Sequence, residues 1–130
     1  MPLLTSAGLE FVTARHLATL TTLRPDGTPH VTPVGFTWDD ATGLARVICS
    51  GTSRKARNVG VGGPVALGQL DGGRWLTIEG SGRVSTDLAD VAESVRRYAE
   101  RYRQPRVNPA RVTILIKATR ILGSPDFVFS

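Results

Sequence analysis

The sequence has a single cysteine, Cys49, among its 130 residues. That excludes an intrachain disulfide and any zinc site built on cysteine pairs. Histidine is almost as scarce: only His16 and His30 are present, and neither is spaced with an acid or with the other as metal ligands are. No metal site is expected. A G-x-S-x-G elbow is absent and Cys49 has no histidine near it in sequence, so no nucleophile constellation stands out. No apolar stretch approaches the ~20 residues that span a bilayer, and the chain does not open on a basic-then-apolar signal. The expectation is a cytoplasmic protein with no membrane partner. Internal repeats, low-complexity segments and linkers are also missing, so residues 1–130 read as one domain.

What is present is ordinary globular material, 41% hydrophobic and 21% charged, with one bias. Of the 16 cations only Lys55 and Lys117 are lysines, and the net charge is +5. Arginine in such excess suits phosphates and carboxylates, which its forked donors grip two at a time. Nucleic acid is the other taker for positive charge. With no zinc-ligand spacing and no basic run interleaved with aromatics, it is not expected as a partner.

Along the chain, Thr5 or Ser6 caps a short helix carrying Leu9, Phe11 and Val12. Residues 17–23 alternate apolar and hydroxyl side chains, turn at Arg24-Pro25-Asp26-Gly27, and return as a strand over residues 29–38. Pro33 cannot donate to a ladder, so it marks a bulge or a sheet edge there. Residues 44–49 form a third strand, and a helix from Ser53 runs to about Val61, where Gly62-Gly63-Pro64 stops it. Strands over 64–71 and 74–84 flank the Gly72-Gly73 turn, and Gly80 and Gly82 permit a sharp bend in the second. Asp87 caps a long helix on which Leu88, Val91, Val95, Tyr98 and Tyr102 recur at spacings of three and four. A strand over 111–121, rich in β-branched residues, follows. Six strands joined mainly by hairpins, with two or three flanking helices, predict an α+β, mainly β, antiparallel barrel.

The most chemically suggestive stretch is Ser50-Gly51-Thr52-Ser53-Arg54-Lys55-Ala56-Arg57-Asn58, at the end of the third strand. Hydroxyls that can cap a helix, free N–H groups in its first turn and three cations are what holds a phosphate. A solvated basic helix start is the competing reading. His16 and His30 read as satisfied structural groups or as proton carriers. Such an anion cradle among apolar strands, without an acid–base set, suits a protein whose bound cofactor carries the reaction.

Three segments, Ala18 to Val34, Thr52 to Asn58 and Arg74 to Gly80, together resemble the pyridoxamine 5′-phosphate oxidase-like split β-barrel superfamily. Within it, the chain is similar to the F420-dependent branch, the flavin/deazaflavin oxidoreductases of the B type. The resemblance implies a six-stranded antiparallel split barrel and a homodimer with two cofactor grooves between the subunits. It implies that Thr52, Ser53, Arg54, Lys55 and Asn58 hold the phosphate of coenzyme F420, and Ser50 beside them is a further cofactor-binding candidate on its residue type. It places a bulged strand at Thr32, Pro33 and Val34 along the tricyclic ring, and Trp75 near the ring from the partner subunit. On its residues alone, Trp75 also reads as a core or interface aromatic. The activity implied is hydride transfer to a conjugated acceptor, biliverdin to bilirubin foremost. His30, Arg106 and Arg111 are candidates for the substrate or the coenzyme tail, with ordinary surface charge as the alternative for the arginines. FMN in the same cradle, or binding of F420 or a tetrapyrrole without turnover, are the other readings. The tail, residues 124–130, either covers the groove or packs on the barrel.

Overall fold

The computed structural model describes residues 3–129. In chain order the elements are α1 (Ser6–Thr13), β1 (Ala18–Leu23), β2 (Pro29–Val34), β3 (Thr37–Asp39), β4 (Leu44–Ser50), α2 (Arg54–Val59), β5 (Gly63–Asp71), β6 (Arg74–Ser85), α3 (Leu88–Arg101) and β7 (Arg111–Gly123). The strands form one antiparallel sheet in the order β2-β1-β5-β6-β7-β4-β3.

There are seven strands where six are expected, because the run over residues 29–38 is two strands on opposite edges of the sheet. Between them, the Phe36 N–H donates to the Tyr102 hydroxyl at 3.2 Å, and Arg101 donates to the Phe36 carbonyl. Backbone groups that would continue a ladder are captured by the end of α3 instead. Pro33 pairs with Thr19 in unbroken register, so it marks an edge and not a bulge. The two edge strands are joined by residues 35–36 alone, which holds Val34 and Thr37 within about 11 Å of each other. A sheet whose opposite edges are tied that closely has to curl into a barrel.

The curl encloses a core of alternate residues. Leu20, Leu67, Ile78, Ile114 and Ile116 point inward with Phe36 and Val47, and none is more than 1% exposed. β7 is buried continuously from Val112 to Ile116, since α3 covers its outer face and the buried Ser94 hydroxyl meets that of Thr113 at 2.8 Å. Ser94, rather than the expected Leu88, is the buried centre of α3; Leu88 is 86% exposed at the helix start. The expected bend in β6 is a register shift between Glu79 and Gly80, where a Cβ would run into the Lys117 carbonyl. The tail packs on the barrel: Phe127 is fully buried, with its ring 4.5 Å from that of Phe11.

α3 is fastened to the seam by charge as well. Arg101 donates to the carbonyl of Ala14 and to Gln69 Oε1 at 2.7 Å, while its guanidinium lies over the Phe36 ring. Asp39 on β3 meets Arg97 at 3.3 Å and Arg46 at 3.6 Å. Burial alone would favour the neutral acid, but Thr42, these two cations and the Ala41 N–H hold the Asp39 carboxyl below the usual range.

Candidate functional site

β3 covers only residues 44–46 of β4, so from Val47 to Ser50 β4 has β7 on one side and no strand on the other. β2 is likewise free along its outer edge. The two open edges leave a slot with a cavity of about 290 Å³. Pro33, Val34 and Gly35 form one wall, and Ile48, Cys49 and Ser50 the other. Lys55 enters from α2, Tyr98 from α3, and Pro105, Asn108 and Arg111 close the remaining side.

The loop that carries the hydroxyls is tightly held. Gly51 N–H donates to the Ala110 carbonyl at 2.8 Å, and the Ser50 and Thr52 hydroxyls are 3.2 Å apart. Ser53 caps α2, accepting from the Ala56 N–H at 3.3 Å. The helix has six residues against the expected nine or so, because the chain turns at Gly60 with φ +51. A dipole of so few peptides is small, so the attraction for an anion rests on Lys55 and Arg111, the two cations that line the slot. Arg54 and Arg57 are exposed and stand outside it. Thr52 is also exposed and reaches the slot only through Ser50.

A second group of predicted residues lies on the inner face of β1 and β2. His30 stands opposite Thr22, and Thr32 opposite Leu20. The Thr22 hydroxyl accepts from Asn58 Nδ2 at 3.0 Å. Two atoms of this group, His30 Nδ1 and Asn58 Oδ1, are buried without a hydrogen-bond partner. Buried polar atoms left single call for a ligand or water. The Asn58 amide can turn over at no cost in shape, so it offers either an acceptor or a donor.

Cys49 is not poised as a nucleophile. Burial pushes its thiol upward, against smaller opposite pulls from Ser53 and Lys55. Arg106 is exposed, and its carbonyl accepts from the Arg111 guanidinium at 2.6 Å, which aims Arg111 rather than placing Arg106 in the slot. Trp75 belongs to another surface. It pairs with Leu70 at the β5–β6 hairpin, 42% exposed, and its backbone is held by Ser124. Gly35, Ile48, Cys49, Tyr98, Pro105 and Asn108 are the lining residues that sequence reasoning did not assign. Tyr98 hides in the apolar stripe of α3, and Asn108 in a loop whose only signal is its two flanking prolines.

The matching family model, described as pyridoxamine 5′-phosphate oxidase, covers residues 4–124. The chain belongs to the pyridoxamine 5′-phosphate oxidase family. Among its relatives is an F420H(2)-dependent biliverdin reductase of Mycobacterium tuberculosis (strain CDC 1551 / Oshkosh), 50% identical over 125 residues, covering 96% of this chain and 91% of that one. Among solved structures, an F420 reductase superposes with a TM-score of 0.70 at 26% identity, covering 87% of this chain and 94% of the other. A conserved hypothetical protein from Mycobacterium tuberculosis superposes with a TM-score of 0.76 at 23% identity, covering 94% and 85%. The family that the three segments resemble is therefore the family found.

Proposed function

We propose that this family member is a homodimeric reductase that takes a hydride from reduced coenzyme F420 and delivers it to a conjugated acceptor, with biliverdin, reduced to bilirubin, as the foremost candidate. The observation that carries this reading is the slot itself: Lys55 and Arg111 both line an opening edged by the free backbone of β2, in a chain half identical to an F420H(2)-dependent reductase.

The residues present suit the coenzyme. Lys55, Arg111 and the Ser50 hydroxyl would take its phosphate, and the edge of β2 from Thr32 to Val34, with the unpaired atoms of His30 and Asn58, would take polar groups of its ring system. About 290 Å³ is at the small end for a ligand site, so a tricyclic ring extends beyond it along β2. When bound, the reduced deazaflavin supplies a hydride and little reactivity towards oxygen. The chain then has to bind, orient and exclude. Tyr98 and Pro105 give the slot part of its apolar lining, and the rigid strands on each side would fix the angle at which an acceptor stacks. Solvent can supply the accompanying proton, so no acid–base pair is required.

The dimer is supported by the outward face of β1, β5 and β6. Alternation places Thr19, Thr21, Leu23, Ala66, Gly68, Leu70, Trp75 and Thr77 on it, with the Glu79 carboxylate opposite Ala66 at its margin. Leu70 and Leu23, 67% and 42% exposed, would be covered by a second copy, which would also carry Trp75 towards its partner's ring. Reduced F420 mixed with the protein and biliverdin should lose its absorbance at a protein-dependent rate. A protein that binds FMN and ignores F420, or that binds F420 without ever oxidising it, refutes the reading.

A further inference from the structure

α3 also borders a cavity that shares no lining residue with the slot. It has a volume of about 150 Å³ and lies between the end of α1, the free edge of β3 and α3, lined chiefly by Val12, Thr37, Trp38, Arg97, Glu100 and Arg101. We infer that this cavity binds a small organic carboxylate, with its charge against Arg101 and its apolar body against Trp38.

Charge balance is the first reason. Asp39, Glu93 and Glu100 are matched by Arg46, Arg96 and Arg97, three acids to three cations, in the ion pairs of α3 and the β3–β4 edge. Arg101 is left over. Its Nε and both Nη atoms donate to the Ala14 and Phe36 carbonyls and to Gln69 Oε1, all uncharged acceptors. Burial pulls its pKa below the ordinary value, with only the neighbouring Tyr102 pulling upward. Three of its five N–H groups are used in this way, which leaves one hydrogen on each Nη atom. Buried charge is ordinarily paired, and an anion in the cavity that Arg101 lines supplies the missing partner.

Hydrogen bonding is the second reason. Thr37, only 6% exposed, lines the cavity, and its hydroxyl is buried without a partner. Opposite it on β4, Arg46 Nη1 is also buried without a hydrogen bond, since Asp39 lies 3.6 Å away. Orphaned donors call for an acceptor, and a carboxylate is all acceptor. The apolar lining narrows the class. The Trp38 indole N–H is spent on Asp40 at 3.0 Å, so what the ring has left to offer is hydrocarbon surface, and Val12 adds more. An apolar cavity of about this size takes up benzene. Glu100 is the one acid in the lining, and Arg96 holds its Oε1 at 2.7 Å.

Benzoate is therefore the probe, with benzamide as its uncharged twin. In an NMR titration the indole N–H signals of Trp38 and Trp75, told apart by Trp75→Phe, report occupancy independently of the coenzyme. At constant ionic strength benzoate should move the Trp38 signal along a saturating curve and leave that of Trp75 in place. Benzamide should bind at least about tenfold more weakly. Benzoate should also raise the urea midpoint, because it binds the folded chain across α1, β3 and α3. Thr37→Val keeps the shape of the side chain and removes the hydroxyl. Benzoate should bind that variant roughly fivefold more weakly, while its urea midpoint without ligand is no lower than that of wild type. An unmoved Trp38 signal, benzamide binding as tightly as benzoate, or unchanged benzoate affinity in Thr37→Val overturns the site. Inorganic phosphate that competes at equal concentration overturns the organic carboxylate as its ligand.

Discussion

Lys55 and Arg54 are adjacent cations with different fates. α2 turns Lys55 into the slot and leaves Arg54 on the surface. If a phosphate sits between Lys55 and Arg111, replacing Lys55 with Ala removes a charged hydrogen bond and weakens F420 binding roughly 10–100-fold. Arg54→Ala should stay within about twofold, since an exposed charge is screened. Fluorescence titration of F420 against both variants decides it, and equal losses would move the phosphate out of the slot. At this scale the sequence was partly readable. Ser50, Lys55 and Pro33 come together because strand ends and caps leave local marks. Which of three neighbouring cations points inward depends on the phase at which Ser53 starts a six-residue helix. Tyr98 had no local mark, because an apolar stripe looks the same whether it faces a core or a cavity.

The elements show where alternation alone misleads. Residues 29–38 read as one strand because nothing in the run itself breaks the pattern except Gly35; the break is made by Tyr102 and Arg101, some 65 residues away. Gly35 is needed there, since a Cβ would lie 3.0 Å from ring carbons of both Tyr98 and Tyr102. Gly35→Ala should cost about 1–3 kcal/mol, read as a lower urea midpoint, because the Tyr102 ring, pinned through its hydroxyl, must move. The sixth-strand bend was legible because Gly80 announces it. α3 carries its own pH dependence. Hydrogen bonds from Arg96 and then Arg97 lower the Glu93 carboxyl from 4.5 to about 2. A carboxylate depressed on folding adds stability above its unfolded value, and the gain disappears as pH falls from about 4.5 to about 2. Glu93→Gln should therefore be less stable than wild type at pH 6 and equal to it near pH 2, by urea denaturation at each pH. Solvent around this half-exposed side chain keeps the difference small.

The whole molecule is organised by one closure problem. Tying the two sheet edges together through residues 35–36 makes a barrel, and the shortness of β3 leaves it split. The split supplies the slot, while the largely uncharged outward face of the central strands lies elsewhere on the barrel and would be costly to leave in water. A second chain on that face would answer both needs, since it would hide Leu70 and bring Trp75 to a slot too small for a tricyclic ring. Sedimentation equilibrium should give twice the 13.9 kDa of one chain. Leu70→Arg, a charge in place of an outward apolar residue of β5 that is 67% exposed, should return the mass to one chain and abolish tight F420 binding while the far-UV spectrum stays native. Trp75→Ala should keep the dimer and weaken only the coenzyme. A wild-type chain that sediments at 13.9 kDa and still binds F420 fully would mean that the slot needs no partner, and that Trp75 is a surface residue of the β5–β6 hairpin.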